Sequence, residues 1–414
     1  DLNIRPSGYE PDELPGCSTP RRPIRFRRKQ TVNYPSRIKT QGLKNSFKPS
    51  HVPPNGSYKP LLMKPTKECQ PNAHIMAPLK DFDPNSAAAS DGIFGLPHTL
   101  AESRVALLSV PYEATTSYLG GTSKAPTKIL SASHQVDLFH PFYGDAWRDG
   151  IHLTSLKGSQ KILALNTKAQ ALAKRARKMT DGKARDKIVD QVNEISSKVN
   201  FWVASEADKL LSQRKIVGLV GGDHSIPFGA IAETLRRHPK MGLLHLDAHF
   251  DLRRAYEGFT WSHASIFQNV ITRLPLQRLV HFGIRDFCEE ELQFAHSKPQ
   301  IKFFTDGDLF ERKAKGQSWD RLCDEILDYL PSEVYLSFDI DGLNPILCPG
   351  TGTPVPGGLE FNEVTYLLKK LVASKRKIVG FDLCEVGTSE WDANVGARLL
   401  YHMSLAAIVS NRPS

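Results

Sequence analysis

Four short apolar runs, each ending on acids or histidines, constrain this chain more than any other feature. Residues 215–220 (KIVGLV) lead into Gly221-Gly222-Asp223-His224-Ser225, and residues 241–246 (MGLLHL) into Asp247-Ala248-His249-Phe250-Asp251. Residues 334–338 (VYLSF) end at Asp339-Ile340-Asp341-Gly342, and residues 377–383 (KIVGFDL) run into Cys384-Glu385. Continuous apolar strands separated by helical patterns indicate a parallel sheet buried on both faces. In such sheets ligands gather beyond the carboxyl ends of the strands, so the four elements are predicted to meet on one edge.

The spacing within these elements carries chemistry. On an extended segment, residues two apart point the same way, so Asp247, His249 and Asp251 converge. With Asp339, Asp341 and His224 they make four carboxylates and two imidazoles, a mixed N/O set suited to two divalent ions such as Mn²⁺, Co²⁺ or Ni²⁺. Singly, each residue has a plainer reading, because strand-end aspartates cap helices and buried histidines donate hydrogen bonds. Together, four carboxylates in one cleft would repel each other and be costly to bury without a cation.

The segments GGDHS, LLHLDAHFD, SFDIDGLNP and GFDLCEV, in this order and spacing, resemble the ureohydrolase (arginase/agmatinase) family over roughly residues 93–404. AYEGFTWSHASI, FGIRDFCEEE, TGTPVPGGLEF and EWDANVGARLLY look most like the agmatinase-like subgroup that includes guanidine hydrolases. The resemblance implies a three-layer α/β/α fold with a mostly parallel central sheet. It also implies a dinuclear centre, with Mn²⁺ the first expectation and Ni²⁺ used in part of the subgroup, and hydrolysis of a guanidino C–N bond with release of urea. Carried over by motif, His224 and Asp251 would be terminal ligands of one ion and His249 and Asp341 of the other, with Asp247 and Asp339 bridging. Glu385 matches the family's guanidinium-binding glutamate, and His263 the histidine that passes a proton to the leaving amine. The same resemblance implies a homo-oligomer, trimer or hexamer.

Two departures bear on the substrate. Where arginases follow the third aspartate with small polar residues, this chain has Leu252-Arg253-Arg254, which puts recognition of arginine in doubt. An Arg253 side chain at the pocket would disfavour a cationic tail, unless it faces solvent or pairs with an acid such as Glu257. Tyr256, Phe259 and Trp261 could close the site around something small, so Arg253 and Trp261 join Glu385 as candidate substrate-binding residues. Agmatine, free guanidine and an ω-guanidino acid such as guanidinobutyrate are the competing substrates. Elsewhere, GTSKAP (residues 121–126) alters the family's glycine-containing loop, and Ala264 replaces a glycine that often follows the histidine.

The folded region is expected to span residues 76–414 as one catalytic domain. Residues 1–75 hold 14 Lys/Arg against 5 Asp/Glu and 12 of the 28 prolines, a composition that cannot bury enough apolar surface to fold. That tail is expected to be disordered. It reads as a transit segment, as a ligand for an acidic partner or nucleic acid, or as a part foreign to the native protein, with Met76 an ordinary start. The remaining residues carry 40 basic and 39 acidic side chains, so the high pI argues nothing for nucleic-acid binding by the folded part. Residues 105–110 read as the first strand, and residues 163–211 as two helices broken at Thr180-Asp181-Gly182. No apolar run reaches the length of a membrane span. Six scattered cysteines without C-x-x-C pairs fit reduced thiols, hence a cytoplasmic setting, or an organellar one if the tail targets it.

Other classes fit less well. A dinuclear phosphoesterase needs a GNH-[DE] element that is absent, and a related-fold deacetylase needs a tyrosine oxyanion donor that cannot be placed. A non-catalytic regulatory partner of an active ureohydrolase would be expected to have lost metal ligands, and all six are present.

Overall fold

The computed structural model describes residues 82–413 apart from 89 and 117. The expectations for residues 1–75 and Met76 therefore lie outside the described residues. Eight strands form one sheet: β1 (Val105–Val110), β2 (Ile151–Leu153), β3 (Ile216–Gly221), β4 (Gly242–Leu246), β5 (Leu279–Ile284), β6 (Ile301–Thr305), β7 (Glu333–Asp339) and β8 (Lys377–Cys384). Their order is β2-β1-β3-β8-β7-β4-β5-β6, and every neighbouring pair is parallel. All carboxyl ends thus point to one edge, as the four polar-ended runs require.

Among the described residues ten α-helices cover the sheet: α1 (Ala125–Ser133), α2 (Gln160–Arg177), α3 (Lys183–Ser212), α4 (Phe228–Arg237), α5 (Ile266–Arg273), α6 (Glu289–Ser297), α7 (Asp306–Ala314), α8 (Trp319–Asp328), α9 (Phe361–Ala373) and α10 (Glu390–Ser410). Strand alternation sorts side chains between the two layers. Val334, Leu336 and Phe338 of β7 pack into the core shared with α1 and α7–α10, while Tyr335 joins the opposite core with α4–α6. Farther along that second face, α2 and α3 pack on Ala106, Leu108 and Val110 of β1. Between Val334 and Tyr335 the register against β8 slips past Val379, which keeps Phe381 and Leu383 on the α10 face. The two helices expected over residues 163–211 are α2 and α3, and residues 178–182, which include the expected break at 180–182, separate them. Among the described residues no helix is long and apolar enough to cross a membrane.

Candidate metal centre and active site

The six residues singled out for metal binding come together beyond the carboxyl ends of β3, β4 and β7. His224 Nδ1 lies 3.1 Å from Asp247 Oδ2, 3.2 Å from Asp251 Oδ2 and 3.4 Å from Asp339 Oδ2. His249 Nδ1 lies 3.1 Å from Asp341 Oδ2 and 3.4 Å from Asp247 Oδ1. Asp247 therefore reaches both imidazoles, one with each oxygen. Local backbone features hold this arrangement. The Asp341 amide donates to Asp339 Oδ1, the Ala248 amide to Asp341 Oδ1 and the His249 amide to Asp247 Oδ1. Asp251 has φ +54°, a left-handed conformation that a non-glycine residue adopts at some cost and that often marks a functional site.

The electrostatics of the cluster call for positive charge. Burial first, and then the Asp247 carboxylate, push Asp251 from 3.8 up to about 8. Burial and the facing Asp341 and Asp247 raise Asp339 well above the usual carboxylate range. Burial disfavours the charged forms of His224 and His249, yet the surrounding aspartates outweigh it and hold both imidazoles well above 6.5. The positive charge that the aspartates favour at these imidazoles is the charge that divalent cations would supply. The tautomer of His224 also fits a ligand. Ser337 Oγ donates to Asp382, 2.9 Å away, which leaves it to accept from His224 Nε2–H at 3.0 Å and turns the Nδ1 lone pair toward the aspartates. Three groupings of donor atoms close enough to hold an ion result: Asp247/His249/Asp341 and Asp247/Asp251/His224 with His245, which share Asp247, and His224/Asp382/Cys384.

A pH dependence follows. Groups whose folded pKa is raised bind more protons folded than unfolded, so their contribution to stability is lost as pH rises. Asp251 and His224 act in the same direction. Protein stripped of metal should therefore lose thermal stability from about pH 6.5 to about pH 8, where Asp251 still titrates and the buried His245, His263 and His281, whose lowered pKa acts with the opposite sign, no longer do. Metal competes with protons for the same ligands, so the stabilisation by added Mn²⁺ should grow over that interval. Melting curves with chelator and with Mn²⁺ between about pH 6.5 and 8 check both slopes; parallel curves would contradict them.

A cavity of about 280 Å³ opens on this cluster. Its walls include His224, His249, Asp251, Asp339 and Asp341, together with His263, Glu385 and Arg253. Glu385 follows β8 with φ +60°, and its Oε1 accepts the His224 amide at 3.1 Å. Its other oxygen, Oε2, is buried with no partner among the described residues. The absence of a side chain at Gly352 keeps that oxygen open, since a Cβ there would sit 2.8 Å from it. Burial, then Asp339 and Asp223, raise the Glu385 pKa well above normal, so this group too is poised to receive a cation. His263 lies beside Thr115, whose hydroxyl is 3.3 Å from Nδ1 and accepts the His263 amide. Burial and the neighbouring His249 charge press His263 down to about 3, which keeps it neutral in this setting.

The family profile described as "Arginase family" matches residues 103–406. The chain belongs to the arginase family. N(1)-aminopropylagmatine ureohydrolase of Thermus thermophilus is 30% identical over 305 residues, covering 73% of this chain and 89% of that protein. Proclavaminate amidinohydrolase of Streptomyces clavuligerus is 31% identical over 212 residues, covering 49% of this chain and 66% of that protein. The crystal structure of agmatine ureohydrolase from Thermoplasma volcanium aligns with TM-score 0.59 at 23% identity, over 77% of this chain and 94% of that one, a likeness of fold. The arginase family depends on a dinuclear metal centre, and the His/Asp clusters of this chain fit one.

Two substrate-binding expectations need correction or refinement in this arginase-family pocket. Trp261 is not part of the cavity wall. It packs edge-on against Phe228 at 4.9 Å, with Arg273 stacked over its ring, so Tyr256 is the aromatic of that loop that reaches the cavity. Phe259 is buried against α2 and α3. Arg253 does line the cavity, but its guanidinium lies 3.5 Å from the buried Glu291 and over Tyr256. Glu257, the acid expected to pair with it, instead accepts from Arg177 Nε at 2.6 Å.

Several site residues escaped the sequence reading. His245 donates through Nε2 to Asp247 Oδ2 at 2.8 Å, and its Nδ1 meets His281 Nδ1 at 2.7 Å. Burial lowers the pKa of both histidines, so the chain of donation runs from His281 through His245 to Asp247 between neutral rings. One signal was present: His245 extends the alternation of Asp247, His249 and Asp251 by one step. The loop that carries His263 is held from outside. Arg185 and Asn193 of α3 donate to the carbonyls of Glu257 and Gly258, and Arg177 of α2 bonds both Glu257 and the Thr115 carbonyl. Glu257 at φ +55° and Gly258 at φ +90° make a tight two-residue turn between Tyr256 and Phe259.

Proposed function

We propose that this arginase-family chain is a ureohydrolase that uses two divalent ions, Mn²⁺ first and Ni²⁺ second, to cleave a guanidino C–N bond. The unpartnered, buried Oε2 of Glu385 beside the His/Asp cluster carries this reading. A guanidinium offers paired N–H donors, and a carboxylate with one free oxygen in a dry cavity is the complementary acceptor. Bound in the cluster, two ions would acidify a water enough to make it a nucleophile near neutral pH. His224, Asp247, Asp251, His249, Asp339 and Asp341 would hold them. Glu385 then orients the guanidinium carbon, and His263, neutral and at the wall, passes a proton to the departing nitrogen. The water oxygen ends in urea; its two protons, one of them taken up by His263 and passed on, end on the released amine or ammonia as an ammonium group. The chain is proposed to assemble as a trimer or hexamer.

For the substrate, the geometry favours an amino-terminated tail, as in agmatine, with free guanidine next. Glu291 offsets the Arg253 charge, whereas Asp286 stands exposed at the cavity, 3.8 Å from His249 Nε2. Arg253 at the wall supports a second reading, a tail ending in a carboxylate. Urea release from agmatine, guanidine, 4-guanidinobutyrate and arginine separates these. Agmatine should be preferred, and Asp286→Asn should raise its KM about three- to tenfold while leaving guanidine unchanged. A preference for guanidinobutyrate that Arg253→Gln abolishes would establish the second reading instead.

A further inference from the structure

A second cavity, of about 290 Å³, lies at the same edge of the sheet but is lined by none of the residues of the metal cluster. Its origin is topological. β2 ends at Leu153, paired with Leu107, while β1 runs on to Val110 with a partner on the β3 side only. The notch so left beside the end of β1 is closed by the first turns of α1 and α2. Ser109 lines it. By strand alternation Ser109 shares a face with Val105 and Leu107, which pack with Ala125 and Ile129 of α1. It is 1% exposed, and its hydroxyl has no hydrogen-bond partner among the described residues. A buried hydroxyl left unpaired is costly, which points to a missing partner.

The surroundings state what that partner is. Neither α1 nor α2 has an acid in its first turn or a side chain capping its start, so both turn the positive end of a helix dipole toward the notch. At α1 the Lys124 and Ala125 amides are taken by the Gly121 and Thr122 carbonyls and Pro126 has none, so free amides are offered by α2 alone. Lys124 and Lys128 line the cavity and form no ion pair among the described residues. The sequence has no acid between Glu113 and Asp137, nor between Asp149 and Asp181. The Glu113 carboxylate, beside the loop that leads into α1, is already engaged by the amides of Gly121 and Ser123, the Thr122 hydroxyl and Gln170. Pro111, Leu156 and Leu163 add an apolar wall.

We propose that this notch binds a small phosphate monoester. The phosphate would lie between the two helix starts, Lys124, Lys128 and the Ser109 hydroxyl, and a short apolar body against Pro111 and Leu163. Calorimetry with phenyl phosphate on the manganese-loaded chain tests it, against Lys124→Gln/Lys128→Gln and, separately, Ser109→Val, which fills the notch. Saturable binding of one molecule per chain, weakened about tenfold or more by the double lysine substitution and lost in Ser109→Val, with urea release unchanged in the lysine variant, is the expected result. Absence of saturable binding at millimolar concentration would overturn it. Binding that the lysine variant retains in full would do so equally, since the phosphate would then sit on the metal ions. The lysines are exposed, so their replacement leaves the fold intact and keeps that comparison informative.

Discussion

Asp339→Asn should empty the metal centre and reduce urea release by more than about a thousandfold, because in the proposed centre Asp339 is a carboxylate that both ions would share. Asp339 Oδ2 is 3.4 Å from His224, and its Oδ1 accepts the Asp341 amide at 2.9 Å. An asparagine retains the second contact, so the loop should survive. What it loses is charge. In metal-free protein that loss is a relief, because Asp339 is pushed up by burial and by Asp341 and Asp247. Metal-free Asp339→Asn should therefore melt no lower than the metal-free parent, while the gain in melting temperature on adding Mn²⁺ largely disappears. Elemental analysis and paired melting curves read both effects. A variant that keeps two ions per chain would refute the bridging role.

Glu385→Gln separates metal binding from substrate binding. The side chain lines the cavity with Oε1 engaged by the His224 amide, and it is proposed to hold the guanidinium rather than an ion. Glutamine keeps an oxygen for the His224 amide, so the β8 end should hold its shape. The replacement puts an amide where the free Oε2 stands and confronts a guanidinium with a neutral group. Metal content should be unchanged, and kcat/KM should fall by about a hundred- to a thousandfold, the scale of a lost charge-assisted pair in a desolvated site. An unaltered rate would mean another group holds the guanidinium.

The parts of this protein that the sequence reveals are those with a local pattern. β1, β3, β4, β7 and β8 are continuous apolar runs, four of them lead into acids or histidines, and those after β4 and β7 sit at positions two apart, so their convergence can be read without coordinates. The three strands β2, β5 and β6 are less legible: β2 is three residues long, and β6 is only partly buried. His245, Ser337 and Asp382 were hidden because each lies inside an apolar run, where polar residues read as exceptions. They are aligned across the sheet, His245 beside Ser337 and Ser337 beside Asp382, a register that only strand pairing discloses. Contacts set by distant elements were equally out of reach. Arg253 meets Glu291 from the start of α6, and Trp261 turns to Phe228 of α4, so neither side chain's direction follows from its own loop.

The most direct test of the account is urea release measured against Mn²⁺ added to metal-free protein, with agmatine as substrate and metal content determined in the same samples. The two overlapping donor groupings, both including Asp247, predict activity that rises to a plateau at two ions per chain. Full activity at one ion per chain, or none with two bound, would contradict it.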